Sequence, residues 1–414
     1  MGLKSIIFNN KTIAKNTFYL SIIEVVRLIM PFVALPYILK TIGTENYGII
    51  AFAQSIIAYF SVLVAFGLDI SAVKNVSENR SNRDELSKIV SSVLIIKFLL
   101  FVVSSFVLAA IVYWVPFLKI HYVVFLFAFI ACLSDLFFPV WFFQGIEKMQ
   151  LITIVRLSAI IMYVISIFVF IHNDSDYILI PLLQSLSFIV TAIGGLFFLI
   201  FQQRIRLFVP QKRYIVSVFK ESIPFFFSRV SVVINHNIAK TFSGILLGMN
   251  EVAIFDIAQK IISAAIIPLN MMSHAIYPHN ANNKDKVFAK KTFNLIVIIA
   301  MVISIIVLVF APMAIRILGI NDVYTCSRVC YILCLWLLAA AIAIYLGAPM
   351  LVAFGYPKPY NKSVLYSTVF LFMIYIILYL LNIFSIYFFA FVLVFTDLFV
   401  AGYRLFYCKK YKIL

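Results

Sequence analysis

The sequence is short of charge, and above all of acidic charge. Only 12% of its 414 residues are charged, compared with about 25% in ordinary soluble domains. Hydrophobic residues make up 64% of the chain, which is too much for a folded surface in water. These two values exclude a water-soluble fold. Because one membrane-spanning helix needs about 20 apolar residues, the composition predicts about twelve spans, with little chain left outside the membrane.

Features that would indicate an enzyme or a disulfide-linked domain are also missing. The chain has five cysteines, and their spacing gives no disulfide framework. Three of them, Cys326, Cys330 and Cys334, repeat along one apolar helix, where we expect them to pack in its core. There is no phosphate-binding GxxxxGK[ST] loop, no GxGxxG after a strand, no HExxH and no serine nucleophile elbow. The sequence therefore predicts no enzyme activity, no metal site and no cofactor.

Twelve apolar stretches predict an all-α integral membrane protein. They lie at residues 17–40, 47–68, 90–114, 122–144, 151–171, 177–201, 222–247, 253–279, 293–318, 326–354, 363–381 and 386–407. With a cytoplasmic N-terminus, 24 of the 33 lysines and arginines fall in cytoplasmic loops or their flanks, and only Lys40, Lys119, Arg316 and Arg328 fall on the outer side. Because basic residues collect on the cytoplasmic side, we predict that both termini are cytoplasmic. The same topology makes the outer loops too short to fold into a catalytic domain.

The chain also matches itself at half its length. A shift of 205 residues places Ala53–Ile57 on Ala258–Ile262 and the pair Ile42-Gly43 on Leu247-Gly248. We interpret this match as a parallel tandem repeat of two six-helix bundles around a central cleft, an arrangement typical of transporters. The predicted domains are an N-terminal bundle at 1–201, a basic cytoplasmic linker at 202–216 and a C-terminal bundle at 217–414.

Ionisable residues recur in the four spans that the repeat relates. Because one residue advances a helix by about 100°, Arg229, His236 and Lys240 fall on one narrow face of the seventh span. Three other spans each align polar residues on one face in the same way. The residues are Asp256, Lys260, Asn270 and His274 in the eighth span, Glu24 and Arg27 in the first span, and Tyr47, Gln54 and Asp69 in the second span. Charges inside a membrane are costly, so these faces predict a functional site. Several cations and few acids in a cleft favour an anionic ligand such as a phosphate group.

A purely structural interpretation of some of these charges stays open. Glu24 with Arg27 and Asp256 with Lys260 are spaced as i,i+3 and i,i+4 pairs that could simply neutralise each other. Arg229 and Lys240 have no acidic neighbour on their own helix, which favours a functional role. The isolated residues Lys97, Asp135 and Asp397 are expected to snorkel or to form buried pairs between helices, and Trp141 is expected at the membrane interface.

Several segments resemble the Wzx-type O-antigen and polysaccharide flippases of the multidrug/oligosaccharidyl-lipid/polysaccharide exporter superfamily. The resemblance is carried by Pro36–Gly48, Phe52–Ser55, Phe66–Asp69, Ser77–Arg80 and Trp141–Met149. Lys40 stands where that family often has arginine. The resemblance implies a cavity formed chiefly by the first, second, seventh and eighth helices, which are the helices that carry the polar faces.

The resemblance further implies ion-coupled, alternating-access movement of an undecaprenyl-diphosphate-linked oligosaccharide from the cytoplasmic to the periplasmic leaflet of the bacterial inner membrane. The diphosphate and sugar would be bound by Arg27, Arg229, Lys240, Lys260, Gln54, His236 and Asn270. The coupling ion, H⁺ or Na⁺, would be carried by Glu24, Asp69, Asp256 or His274. Other implied partners are membrane lipids, a polysaccharide polymerase and a chain-length regulator, but no nucleic acid.

Two other functions stay open at this point. A cation-coupled drug exporter of the same superfamily should have an acidic cavity for cationic drugs, whereas this chain carries a net charge of +17. A membrane-embedded polysaccharide polymerase or glycosyltransferase usually has a long outer loop, which the predicted topology does not provide.

Overall fold

The computed structural model describes the backbone of residues 3–320 and 322–414, and the side chains of Val26, Met30 and residues 32–320 and 322–414. This part of the chain is almost entirely helical and contains no strand. In chain order the helices are α1 (Leu3–Ala65), α2 (Leu68–Glu78), α3 (Arg83–Trp114), α4 (Pro116–Ile120), α5 (Tyr122–Phe129), α6 (Cys132–Phe137), α7 (Val140–Gly145), α8 (Met149–Phe170), α9 (Leu179–Phe197), α10 (Lys212–Leu246), α11 (Met249–Asn283), α12 (Lys286–Leu318), α13 (Val323–Tyr345), α14 (Pro357–Leu380) and α15 (Ile386–Lys410). A 3₁₀ turn at Asp174–Ile178 and π-helical turns at Phe198–Gln202 and Leu346–Val352 complete the order.

Ten helical stretches of the described residues are long and apolar enough to cross a membrane. They are Phe32–Glu78, Arg83–Trp114, Tyr122–Gly145, Met149–Phe170, Asp174–Gln202, Met249–Asn283, Lys286–Leu318, Val323–Val352, Pro357–Leu380 and Ile386–Lys410. The predicted span at 17–40 lies mainly outside the described side chains. The predicted span at 222–247 is helical within α10, but this helix is too polar to count among the ten. The prediction of an all-helical, multi-pass membrane protein is confirmed.

Acidic or amide side chains mark where several helices begin. Asn82, Asp285 and Asp322 each accept a hydrogen bond from the backbone N–H three residues later, at 3.1, 3.0 and 2.9 Å. Such caps satisfy N–H groups that have no partner inside the helix. They fix the starts of α3, α12 and α13. The side chain and the backbone N–H of Thr325 hydrogen-bond Asp322 and hold the pKa of this exposed carboxyl below its usual value.

The chain folds into two compact units. The first comprises Met1–Tyr37 and Ile56–Val230, and the second comprises Ile38–Ser55 and Ser231–Leu414. Helices α1 and α10 therefore each contribute residues to both units. The tandem division at 202–216 stays a prediction. In the structure part of this segment is hydrogen-bonded to α3, because Arg206 and Phe208 donate their backbone N–H groups to Ser87 and Ser91 at 3.1 and 3.2 Å.

The core of the first unit is rich in aromatic residues. Trp141, Phe142 and Phe143 on α7 are each about 1% exposed and pack with residues of α2 and α3. The prediction that Trp141 lies at the membrane interface is wrong. The short helix α7 packs against α2, and this contact turns the indole into the core.

The second unit is built around α13. In the most apolar stretch of Val323–Val352, two thirds of the residues are buried, compared with 28% of the residues in the corresponding stretch of the neighbouring α12. Helix α13 is therefore a central helix. It packs against α11, α12 and α15. Its cysteines Cys326, Cys330 and Cys334 are buried and free, which confirms that they pack in the core.

The two segments that the 205-residue shift places on each other share a break in the backbone. Gly43 (φ 78°, ψ 170°) interrupts α1, and Gly248 (φ 120°, ψ 176°) immediately precedes α11. Both conformations belong to a region that is almost restricted to glycine. Since a shift of 205 residues places one glycine on the other, the common break supports the duplication that the sequence predicts.

Candidate functional site

The first unit contains a cavity of about 440 Å³ with five ionisable side chains in its wall. The cations are Lys97, Arg156 and Arg229, and the carboxylates are Asp69 and Asp135. The remaining lining includes Gln144, Thr191 and Ser134, which can donate and accept hydrogen bonds, and several apolar residues. If all five groups are ionised, the cavity wall carries one positive charge in excess.

Lys97 is held by the two acidic residues of the cavity. Its ammonium group donates to Asp69 Oδ1 at 2.8 Å and to the backbone oxygen of Asp135 at 3.0 Å. Only 2% of the Lys97 side chain is exposed, so this cation depends on the Asp69 carboxylate for its charge compensation. The Asp135 carboxylate accepts a hydrogen bond from Ser61. The prediction of a buried pair between helices is confirmed for Lys97.

The two arginines of the cavity are not compensated in this way. Within the described part of the chain, Arg156 on α8 and Arg229 on α10 make no hydrogen bond or ion pair. The Arg156 guanidinium lies 5.7 Å from the centre of the Phe138 ring and interacts electrostatically with Asp135. Arg229 is exposed. The cavity therefore holds two guanidinium groups that can still bind an anion.

The second unit contains a separate cluster of two lysines on one carboxylate. Asp256 on α11 lies 3.1 Å from Lys240 of α10 and 2.7 Å from Lys260, one turn along its own helix. The Tyr47 hydroxyl donates to the same carboxylate at 2.6 Å, and Lys260 donates to the Tyr47 oxygen. Asp256 and Lys240 are buried, whereas 32% of the Lys260 side chain is exposed. With two lysines on one carboxylate, this cluster also has one positive charge in excess.

A close approach of α1 to α11 places Tyr47 at the cluster. A Cβ atom on Gly48 would lie 1.9 Å from the backbone oxygen of Met249, so only glycine fits there. Nearby, Thr44 donates a hydrogen bond to Asn250 Oδ1 at 3.0 Å. The tyrosine hydroxyl reaches Asp256 because the two backbones are so close.

The structure divides the predicted site residues between the units. Asp69 and Arg229 belong to the cavity of the first unit, and Lys240, Asp256 and Lys260 form the cluster of the second. The side chains of Glu24 and Arg27 lie outside the described residues. The second unit also contains Gln54 and Asn270, which are half-buried, and the exposed His236 and His274.

His236 lies beside other polar groups of the second unit. The side chain of Gln259 donates to the His236 backbone oxygen at 3.0 Å, and its amide nitrogen lies 3.4 Å from the His236 ring. The His236 ring centre is 6.3 Å from that of Trp336, whose indole N–H donates to Asp397 at 2.7 Å. Asp397 is thus held by a neutral donor on another helix.

Sequence reasoning missed three residues that line the cavity. Lys97 and Asp135 are isolated charged residues in apolar helices. Their placement in the membrane is costly, but the sequence does not show which helices their side chains face. Arg156 lies near the start of its span and is one of the 24 basic residues that the predicted topology places in cytoplasmic loops or their flanks. Only the packing of α8 shows that its guanidinium reaches the cavity.

Comparisons with known proteins agree with this architecture. A family model described as "Polysaccharide biosynthesis protein" matches residues 13–284. A relative from Escherichia coli (strain K12) is 24% identical over 316 residues, covering 75% of this chain and 76% of the relative. One from Shigella dysenteriae is 25% identical over 270 residues, covering 64% and 66%. Both relatives are named "Putative O-antigen transporter".

The fold is similar to that of solved multidrug transporters. An inward-facing MATE family transporter of the MOP superfamily gives a TM-score of 0.74 at 13% identity, covering 93% of this chain and 94% of that one. An outward-facing MATE structure gives 0.67 at 14% identity, covering 97% and 95%. A MOP superfamily transporter from Pyrococcus furiosus, described as having a binding pocket of reverse polarity that suggests a different function, gives 0.67 at 15% identity, covering 96% and 95%. At these identities the likeness shows a common fold.

Proposed function

The chain belongs to the polysaccharide biosynthesis protein family, and from this premise we propose that it is a flippase for a lipid-linked oligosaccharide. The substrate is an undecaprenyl-diphosphate-linked O-antigen unit or a similar repeat, moved from the cytoplasmic to the periplasmic leaflet of the inner membrane. Movement is by alternating access coupled to H⁺ or Na⁺ antiport, and both termini are cytoplasmic. The names of the two relatives and the shared transporter fold support this proposal.

One observation carries the choice of an anionic substrate. In the described part of each unit, the main group of ionisable side chains has more cations than carboxylates. The wall of the cavity has three cations to two carboxylates, and the cluster on Asp256 has two cations to one. An uncompensated cation inside a membrane costs about 2.5–3.5 kcal/mol on insertion scales. A diphosphate group offsets this cost while it is bound, and water offsets it otherwise.

Within the cluster, Lys260 is the lysine suited to substrate binding. Lys240 and Asp256 are both buried and would neutralise each other without it. Lys260 is more exposed, and it can turn from Asp256 to a phosphate while Lys240 keeps the carboxylate compensated. We therefore assign Lys240 and Asp256 to a structural pair and Lys260 to the substrate.

The coupling ion needs a group that exchanges protons or binds Na⁺ during the cycle. Of the predicted groups, Asp69 and Asp256 each form an ion pair with a lysine. His274 is exposed and has no such partner among the described residues. Replacing both Asp69 and His274, as Asp69→Asn and His274→Ala, should abolish ion-driven transport in vesicles, and unchanged transport would place coupling elsewhere.

The proposal is tested by deleting the gene and measuring the polysaccharide on the cell surface. We expect surface polysaccharide to be lost and lipid-linked repeat units to accumulate on the cytoplasmic leaflet. Complementation with Lys260→Ala or Arg229→Ala should give normal protein levels but strongly reduced polysaccharide, and Arg229→Lys should restore part of it. Normal surface polysaccharide in the deletion strain would refute the proposal.

The same strains distinguish a drug exporter, which the MATE-like fold makes the second candidate. If the deletion strain keeps its polysaccharide but accumulates a cationic dye such as ethidium, the exporter function is correct. An excess of cations in each group argues against it, because cationic drugs are better bound by an excess of carboxylates.

A further inference from the structure

We infer that Arg156 and Arg229 form an oxyanion-binding site inside the first unit, in a wall that also contains the Lys97–Asp69 ion pair and the Asp135 carboxylate. This inference rests on the proposed function and names the group of the substrate that the cavity takes. The ligand chemistry is a phosphate or carboxylate group whose oxygens accept hydrogen bonds from two guanidinium groups. Arg156 has no role in the sequence-based site.

Two of the five charges in the cavity wall compensate each other. Lys97 is buried and donates to Asp69 at 2.8 Å, so these two charges cancel within the wall. Asp135 receives a hydrogen bond from Ser61 and lies near Lys97, whose ammonium group donates to the Asp135 backbone oxygen. Asp69 is thus paired with Lys97, whereas Asp135 interacts electrostatically with Arg156, so the two arginines together keep one positive charge in excess.

The arginines are left with unused donors. Each guanidinium carries five N–H groups in a planar fork that matches phosphate and carboxylate oxygens. Within the described residues, neither Arg156 nor Arg229 donates to any oxygen. Because charged residues inside a membrane are costly and often mark ligand pathways, this pair of guanidinium groups favours an anion as its ligand.

The position of the Arg156 guanidinium is fixed in part by packing. It lies 5.7 Å from the centre of the Phe138 ring, within the range of a cation–π contact. Phe138 also lines the cavity. This contact holds one guanidinium at the wall without using its hydrogen-bond donors, and Arg229 enters the same cavity from a different helix.

The size of the cavity limits what it can take. A volume of about 440 Å³ holds a diphosphate with an attached sugar, but not a complete lipid-linked oligosaccharide. Gln144, Thr191 and Ser134 supply hydrogen-bonding groups suited to sugar hydroxyls. The bound part is therefore the anionic group and its nearest sugar, and the anion comes either from the diphosphate linkage or from an acidic sugar of the repeat.

The test measures binding to the full chain in lipid nanodiscs by calorimetry. Farnesyl diphosphate serves as the probe for the diphosphate linkage, glucuronate as the probe for an acidic sugar, and farnesol as the uncharged control. We expect one anionic probe to bind, with an affinity that falls as salt rises, and farnesol not to bind. Binding of farnesyl diphosphate identifies the linkage as the source of the anion, and binding of glucuronate identifies the sugar.

Variants locate the site. Arg156→Ala and Arg229→Ala should each weaken binding of the anionic probe about 10- to 100-fold, because a charge-assisted hydrogen-bonding group is lost. Arg156→Lys should keep part of the affinity. The matched control is Arg328→Ala, which removes an arginine that is exposed in the second unit and stacked 4.0 Å from the Tyr324 ring. Its affinity should equal that of the unmodified protein.

Two results would overturn the inference. One is that neither anionic probe binds the unmodified protein, and the other is that Arg156→Ala and Arg156→Lys both bind the probe as well as Arg328→Ala does. Should Arg156→Ala fail to reach the membrane, Arg156→Lys and Arg229→Ala still decide the question. The proposed function fails separately, by unchanged surface polysaccharide in the deletion strain, whatever the calorimetry shows.

Discussion

Replacing Asp256 with asparagine removes the carboxylate that lies between Lys240 and Lys260. Asp256 and Lys240 have only 6% and 11% of their side chains exposed, so the substitution leaves a buried lysine without compensation. Breaking a buried ion pair in this way costs about 3–5 kcal/mol. That is about two to four orders of magnitude in the folding equilibrium constant. Asparagine can still accept the hydrogen bond from Tyr47, so the loss would come mainly from charge.

The assay compares membrane levels and thermal unfolding of the detergent-solubilised protein. We expect Asp256→Asn to lower the melting temperature by roughly 5–10 °C and to reduce the amount of protein in the membrane. A second substitution, Lys240→Met, removes the buried cation and fills a similar volume, so the double variant should recover most of the loss. Lys260→Ala keeps the Lys240–Asp256 pair and should change stability little.

Two outcomes would refute this reasoning. Wild-type stability of Asp256→Asn would mean that water already compensates Lys240 in the folded protein. A double variant as unstable as Asp256→Asn alone would mean that the loss comes from the shape of the side chain and its hydrogen bonds.

Three further predictions concern topology, the repeated glycines and a buried arginine. Single cysteines introduced on the outer side of the membrane should react with an impermeant thiol reagent, and those introduced on the cytoplasmic side should not. The five native cysteines are buried, so they should give little background reaction. A reversed pattern would overturn the predicted orientation. The outer positions are Thr44, Ser175, Asn250, Asn321 and Asn382, and the inner positions are Asn82, Gln211 and Asn283. Gly43→Ala should lower stability by about 1–3 kcal/mol because of its φ of 78°, whereas Gly194→Ala, in a helix with no atom near its Cβ position, should be neutral or stabilising in the same thermal assay. Arg404→Met should reduce thermal stability, because this buried guanidinium donates to the Ala343 backbone oxygen at 2.6 Å and to the Ser363 hydroxyl at 2.9 Å; an unchanged melting temperature would show that these acceptors find other donors.

The membrane class, the helical spans and one local ion pair can be predicted from the sequence alone. Transfer of a segment into the membrane depends on the sum of its own residues, so hydropathy locates spans without knowledge of their neighbours. The Asp256–Lys260 pair is equally local, since residues four apart lie next to each other on one face of a helix. The repeat remains a prediction from residue identity at a fixed shift, and the similar backbone breaks at Gly43 and Gly248 are consistent with it.

Tertiary structure decided which charges meet across helices. Lys240 is 16 residues from Asp256, and the Tyr47 hydroxyl comes from a helix 209 residues away along the chain. Whether these groups pair with Asp256 depends on how each helix is rotated about its axis and on the close approach at Gly48. In the same way, the orientation of α7 places Trp141 in the core, and the orientation of α8 places Arg156 at the cavity. A helical pattern fixes which residues share a face, but only packing against other helices decides what that face contacts.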